Sequence, residues 1–207
     1  MPRPTILTAI TAMTLGACAT AVISGSPLPA LYDVTDVASD DVLNVRAAPE
    51  AGAEILGALP FAQTRTEVTA LSDDGSWGRV NLREQAGWVN MRYMARQQGS
   101  TIGEGAAFSC YGTEPFWSLI HTPGGTFSWS DIEGNNLELS ASSPEPVPGA
   151  GHVAHASGPG QKASIAIKPV QACSDGMSDR LFGLEALVTL TGKRDGTYRG
   201  CCSVQPQ

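Results

Sequence analysis

Short apolar and polar runs alternate along the chain from residue 31 onward, and turn-forming residues separate them. Apolar residues recur at every second position at Leu43 and Val45, and the alternation returns within 163–167 and 184–191. A period of two is typical of a strand with one buried face. The sequence therefore predicts an all-β protein with a first domain at 31–96 and a second domain at 107–207. A polar, glycine-rich linker at 97–106 is predicted to join them.

The first domain is predicted to be a small barrel. Roughly five or six short strands fall within 31–96, and signals such as Asp74-Gly75 separate them, since glycine accepts the positive φ of a hairpin turn.

The second domain has longer alternating runs, and none of them sustains helical periodicity. Its candidate strands are 107–111, 116–121, 126–130, 137–140, 163–167, 184–191 and 197–204. Roughly seven or eight antiparallel strands, joined mostly by short turns, favour an up-and-down β-barrel or a related sandwich. The segment 141–161 is rich in proline, glycine, alanine and serine, which predicts a long mobile loop.

The N-terminal segment 1–17 has the pattern of a secretory signal, with Arg3 ahead of an apolar run of about ten residues, too short to span a bilayer. Leu15-Gly16-Ala17-Cys18 resembles the bacterial lipobox, which implies cleavage before Cys18, its diacylation and an outer-membrane lipid anchor. The alternative is cleavage after Ala19, which gives a soluble periplasmic protein. Residues 18–30 are small and uncharged, as in a tether.

The cysteines also indicate export. Apart from Cys18 the chain has four, and four cysteines in an exported domain predict two disulfides. Neighbouring Cys201 and Cys202 point to opposite faces of a strand and so need different partners. If the first and last strands of a closed barrel are adjacent, Cys110 pairs with Cys202 in the interior and Cys173 pairs with Cys201 outside.

Charge and motifs exclude several functional classes. The net charge is −7, and losing Arg3 with the signal makes it −8, which disfavours nucleic acids and anionic lipid surfaces. A Cys-His peptidase needs a thiolate beside a histidine, but its nucleophile signature is absent, as is G-x-S-x-G. His152 and His155 form an H-x-x-H pair without a further ligand. We therefore expect no enzyme activity, no cofactor and no metal.

Two polar stretches in the second domain, 110–117 and 173–180, are predicted to form one structural cluster together with Cys201-Cys202. Asp175-Gly176 is expected to make a tight turn whose amides bond Ser174 or Asp175, in preference to a calcium site. Met177 is expected to fill the core. Arg180 is expected to pair with Glu114. The predicted cluster consists of Glu114, Trp117, Asp175, Gly176, Asp179 and Arg180.

Residues of the first domain resemble the bacterial SH3-like domain: LNVR at 43–46 with Pro49, the segment 75–80, Gly87-Trp88-Val89 and Tyr93. The resemblance covers this whole domain and implies a binding module without chemistry of its own, of the kind that contacts peptidoglycan or peptides. Arg46 is expected to be exposed beside its strand and to bond Asp40 or Asp41. Trp77 and Trp88 are expected to pack in the core, and a ligand role is the alternative for all three residues. The candidate ligand contacts are Arg46, Trp77, Trp88 and Tyr93.

The pattern Cys-x-Gly-x-Glu-Pro-Phe-Trp, then Cys-Ser-Asp-Gly-Met-Ser-Asp, then Gly-Cys-Cys resembles a family of uncharacterised bacterial envelope proteins. The resemblance implies architecture and location only. The sequence thus predicts a non-enzymatic envelope lipoprotein that binds a cell-wall or periplasmic component through its SH3-like domain. The alternatives are an inhibitor or chaperone-like binder of secreted enzymes such as lysozyme, and a cryptic peptidoglycan hydrolase.

Overall fold

The computed structural model describes residues 27–204, and strands dominate this range. Two short 3-10 helices, Met91–Tyr93 and Ile102–Glu104, interrupt them. No helix in the described range is long and apolar enough to cross a membrane. The predicted signal peptide, Cys18 and most of the predicted tether lie outside the described residues.

The N-terminal domain has two antiparallel sheets. Its strands are β1 (Ala30–Val34), β2 (Val42–Arg46), β3 (Ile55–Pro60), β4 (Thr66–Val68), β5 (Ala70–Leu71), β6 (Trp77–Leu82), β7 (Gln85–Asn90) and β8 (Met94–Arg96). The smaller sheet has the strand order β4, β1, β8, and the larger sheet has the order β3, β2, β7, β6, β5.

The core of this domain lies between the two sheets. Leu43 and Val45 on β2 are buried, whereas Asn44 and Arg46, on the other face of the strand, are only partly buried. The predicted alternation in β2 is therefore present. The buried cluster consists of Ala30, Tyr32, Val34, Leu43, Val45, Leu59, Val68, Val80, Val89 and Met94.

The C-terminal domain is an eight-stranded antiparallel up-and-down barrel. Each strand pairs with its neighbours in the chain, apart from the short β13 (Glu145–Val147), and the last strand pairs with the first, as predicted. The barrel strands are β9 (Phe108–Thr113), β10 (Phe116–Thr122), β11 (Thr126–Asp131), β12 (Asn136–Ala141), β14 (Gly151–Gly158), β15 (Gln161–Cys173), β16 (Phe182–Gly192) and β17 (Gly196–Ser203).

Side chains fill the barrel interior. Phe108, Leu119, Phe127 and Ile165 are at most 1% exposed, and small alanines such as Ala154 leave room for the large rings. Small barrels of this strand number hold side chains rather than a channel. The interior is therefore a packed core.

The prediction of a mobile loop at 141–161 was wrong. This segment contains β13 and β14, and β14 closes the barrel by pairing with both β12 and β15. Ala154 and Ala156 face inward and are buried, whereas His155 faces outward and is exposed. The period of two is thus present, but its inward positions are alanines, which are weak strand formers.

The linker segment 97–106 is folded against the barrel. Glu104 accepts hydrogen bonds from the backbone N–H groups of Ser100 and Thr101, both at 3.1 Å, and so fixes the 3-10 helix. Ile102 and Ala106 belong to the hydrophobic cluster of the barrel. The two domains are therefore joined by a packed segment.

Several direct contacts hold the domains together. Arg79 Nη2 donates to the carbonyl of Gln171 at 2.6 Å, and Asn81 exchanges two hydrogen bonds with the backbone of Leu181. Leu31 on β1 is 2% exposed and packs into the hydrophobic cluster of the barrel. The interface thus combines apolar packing with polar groups whose partners lie in the other domain.

One carboxylate is buried in this interface. Glu67 on β4 accepts hydrogen bonds from Ser203 Oγ at 2.7 Å and from the N–H of Val204 at 2.8 Å. Burial raises the pKa of Glu67 to about 7, although both hydrogen bonds oppose the rise. The domain contact therefore contains a group that titrates near neutral pH.

Candidate ligand-binding groove

A groove of about 470 Å³ opens on the outer face of the larger sheet of the N-terminal domain. Trp77 lies directly opposite Asn90 in the β6–β7 pair, so both side chains point to the same face. Val80 and Val89 of these strands are fully buried on the opposite face. The groove residues that carry polar or aromatic groups are Asp36, Asp41, Asn44, Arg46, Trp77, Asn90 and Tyr93.

A hairpin turn positions Trp77. Its N–H donates to Ser72 Oγ at 3.0 Å, and Ser72 Oγ donates to Asp74 Oδ1 at 2.6 Å. The hydrogen bonds from Ser72 and Ser76 hold the pKa of Asp74 at about 2. Gly75 has a φ of 71°, as the predicted Asp74-Gly75 turn requires. Trp77 is 9% exposed and forms a fixed wall of the groove.

Tyr93 is the second aromatic residue that lines the groove. It ends the 3-10 helix Met91–Tyr93, which Asn90 caps by accepting a hydrogen bond from the N–H of Arg92 at 3.0 Å. The Arg92 guanidinium lies 5.8 Å from the centre of the Tyr93 ring. The ring is partly buried and packs against the domain core, so its exposed part faces the groove with little freedom.

Arg46 lies in the groove but does not make the predicted bond to Asp40 or Asp41. Its Nη1 donates to the carbonyl of Ala53 at 2.8 Å. A guanidinium has five N–H donors, so this bond leaves donors for a ligand. The carboxylates of Asp36 and Asp41 lie on exposed residues of the loop before β2.

Trp88 lies beside the groove without lining it. It lies opposite Arg46 and Arg79 in the strand register, and therefore on the outer face, but it does not line the groove. The prediction that Trp88 packs in the core was wrong, because it is only partly buried and does not belong to the core cluster. The structure thus brings three of the four predicted ligand contacts together and leaves Trp88 beside them.

The side chains that line the groove suit the binding of a ligand. Aromatic walls can pack against a peptide backbone or an apolar side chain, and the two carboxylates and the guanidinium suit ligand ammonium and carboxylate groups. Within residues 27–204, no three His, Cys, Asp or Glu side chains converge in a geometry that could hold a metal ion.

The cysteines form the two disulfides that strand-face alternation predicted. Cys110 is bonded to Cys202 in the barrel interior, where both are fully buried, and Cys173 is bonded to Cys201. The four cysteines of the described range are therefore all in disulfides. His121 is also buried inside the barrel, where its ring stacks on Phe108 at 4.7 Å, and burial lowers its pKa.

The octapeptide 173–180 forms the predicted turn. Asp175 Oδ1 accepts hydrogen bonds from the N–H groups of Met177 and Ser178, both at 3.0 Å, and Gly176 has a φ of 72°. Burial raises the pKa of the Asp175 carboxyl, but these hydrogen bonds outweigh it and lower the pKa below its usual value. Ser174 Oγ accepts from the N–H of Gly176 at 3.2 Å.

Two predictions for this cluster were wrong. Arg180 binds Glu84 of the N-terminal domain at 2.9 Å instead of Glu114, and its Nε donates to the carbonyl of Arg83. Met177 is 69% exposed, because the tight turn projects it into solvent. The backbone of Asp179 also bonds the N-terminal domain, through Glu84 and Ala86. The octapeptide therefore joins the two domains.

Trp117 anchors the other stretch of the cluster. It is 4% exposed, and its Nε1 donates to the carbonyl of Arg199 at 3.2 Å. A Cβ at Gly200 would lie 2.8 Å from Trp117 Cζ2, so glycine is needed for this close approach. Glu114 lies exposed at the β9–β10 turn.

Comparison with known proteins agrees with this architecture. The family model described as bacterial SH3 domain matches residues 41–95, and no curated protein matches the chain at a significant level. The matched segment contains β2 to β7 and most of the groove. This domain and the two disulfides are consistent with an extracytoplasmic location. The protein is thus a bacterial-type SH3-like domain followed by a disulfide-bonded, eight-stranded antiparallel β-barrel.

Proposed function

We propose that this protein is a non-enzymatic binding protein of the cell envelope whose SH3-like domain holds the peptide part of the cell wall. The observation that carries the proposal is the groove in which Trp77 and Tyr93 face Arg46 and two aspartates. Peptidoglycan stem peptides carry amino and carboxylate groups next to small apolar side chains, and this set of groove residues suits both.

The proposal includes the way in which the protein is held in place. Diacylation of Cys18 in Leu15-Gly16-Ala17-Cys18 would anchor the chain in the outer membrane, facing the periplasm. Detergent-phase partitioning of the protein tests this lipid anchor. The wild-type protein enters the detergent phase and Cys18→Ala does not, whereas a soluble wild-type protein would contradict the anchor.

Sedimentation with purified cell-wall sacculi tests the binding function. The wild-type protein is expected to sediment with sacculi. Asp36→Asn together with Asp41→Asn is expected to reduce sedimentation at least tenfold, because it removes the ammonium-binding charges and keeps the side-chain size. Asn also tolerates the positive φ of residue 36.

A matched control is Asp73→Asn, which removes an exposed carboxylate outside the groove. If the control binds and the double variant does not, the groove is the binding site. Equal sedimentation of the control and the double variant would refute the assignment of the groove as the binding site. The same samples separate the alternatives, since suppression of added lysozyme indicates an inhibitor and released muropeptides indicate a hydrolase.

A further inference from the structure

Three large apolar side chains remain exposed around a second groove, at one end of the barrel. Phe116, Ile132 and Met177 are 43%, 71% and 69% exposed. They line a groove of about 430 Å³ whose floor includes the ring of Trp117. We call this surface the rim face. Contiguous exposed apolar side chains bordered by polar groups mark interaction surfaces in soluble proteins.

Hydrogen bonds fix the backbone segments that carry the three side chains relative to one another. The N–H of Ile132 donates to the carbonyl of Phe116 at 3.2 Å. The turn that carries Met177 is fastened to β9, because Thr113 Oγ1 donates to the carbonyl of Asp175 at 3.3 Å. Thr113 in turn pairs with Phe116 across the β9–β10 hairpin. A partner that docks here would therefore not need to order the backbone of this surface.

The charges around the rim face are mainly negative. Asp175 lines the groove, the exposed Glu114 and Glu133 are next to its lining residues in the chain, and no lysine or arginine of the described range lines it. Asp131 also lines the groove and holds the nearby Arg194 at 2.9 Å, and Arg194 Nη2 lies 4.0 Å from Glu133 Oε2. The rim face is thus an apolar groove with an acidic border, and the complementary partner has a basic border around an apolar residue.

We propose that the rim face docks a basic protein segment. The segment inserts an apolar side chain among Phe116, Ile132 and Met177, and it places lysine or arginine beside Glu114, Glu133 and Asp175. Methionine suits this role because its unbranched side chain adapts to the shape of the partner. The rim face lies on the barrel, whereas the groove proposed for the cell wall lies in the N-terminal domain, so one chain can engage both.

Defined synthetic peptides test the proposal on the full-length protein. One labelled peptide alternates leucine and lysine, the second alternates leucine and glutamate, and the third alternates serine and lysine. Fluorescence anisotropy at about 0.15 M salt reports Kd, since exposed charges are partly screened there. The leucine–lysine peptide is expected to bind at least tenfold more tightly than either control, because only it matches both the apolar and the acidic groups.

Matched variants locate the binding. Phe116→Ser with Met177→Ser is expected to weaken binding of the leucine–lysine peptide at least tenfold, and Glu114→Lys with Glu133→Lys is expected to do the same. Val147→Ser is the control, since Val147 is 41% exposed on β13 outside this surface. Unchanged thermal melting shows that each variant is folded.

Three results would overturn the proposal: a leucine–lysine peptide that does not bind, one that binds no better than its glutamate counterpart, or one that binds the Phe116/Met177 variant as tightly as the wild type. Sedimentation with sacculi is unaffected by these variants if the two surfaces are independent. Failure here therefore leaves the proposed cell-wall function separately testable.

Discussion

Replacing Glu67 by glutamine is expected to remove a specific pH dependence of stability. The Glu67 carboxylate is buried between the domains, where it accepts hydrogen bonds from Ser203 Oγ and the N–H of Val204. Glutamine has nearly the same shape, can still accept from the Val204 N–H, and can donate to the Ser203 hydroxyl. The substitution therefore keeps the contact and removes the titrating group.

The size of the effect follows from the pKa of Glu67. Burial raises this pKa from 4.5 in the unfolded chain to about 7 in the folded protein. Below pH 4.5 both states hold the proton, and between pH 4.5 and 7 only the folded state does, so the free energy of unfolding falls as the pH rises through this window. Above pH 7 the loss is complete, at about 3 kcal/mol.

Urea unfolding of the wild type and Glu67→Gln at pH 5 and pH 8 measures this loss. All other titrating groups are common to both proteins and cancel in the difference between them. Glu67→Gln is expected to gain about 2.5 kcal/mol relative to the wild type on going from pH 5 to pH 8, because part of the loss has already occurred at pH 5. Glu138→Gln, an exposed residue on β12, serves as the control and should follow the wild type. Parallel pH curves for wild type and Glu67→Gln would refute the reasoning.

Three further substitutions test other parts of the structure by urea unfolding. Cys110→Ser with Cys202→Ser removes a bridge between residues 92 apart and is expected to cost about 4–5 kcal/mol in the chain-entropy model; a cost below about 1 kcal/mol would contradict it. Trp88→Ala is expected to cost less than the about 3–5 kcal/mol of a fully buried tryptophan, because Trp88 is only partly buried on the outer face, and a loss in the full range would contradict this placement. Met177→Ser is expected to change stability by less than about 0.5 kcal/mol, whereas a larger loss would mean that Met177 packs in the core.

Local patterns in the sequence predicted most of the barrel. The runs 163–167 and 184–191 lie within β15 and β16, and face alternation around Cys201-Cys202 gave the disulfide pairing seen in the structure. These features depend on a period of two and on closure of the sheet, which are properties of neighbouring residues. β14 was missed because its inward positions are alanines, which gave no apolar signal.

Contacts between the domains could not be predicted in the same way. The Glu84 partner of Arg180 lies 96 residues upstream in the other domain, and Glu67 lies 136 residues from Ser203. A polar residue in a sequence does not show whether its partner is water or a distant chain segment. The burial of the tryptophans was difficult to predict for a similar reason. Trp77 and Trp88 alternate with core residues and lie on the outer face of β6 and β7. Because other residues cover part of that face, the alternation does not show how far each ring is buried.

The most direct test of the proposed function is NMR titration of the full-length protein with soluble muropeptides from digested sacculi. Binding at the groove is expected to shift the Trp77 indole signal, the Tyr93 ring signals and the backbone amides of residues 36–46. Asp36→Asn with Asp41→Asn should abolish these shifts. The absence of shifts in the wild type, or shifts confined to the barrel, would contradict the claim that the SH3-like domain holds the cell-wall peptide.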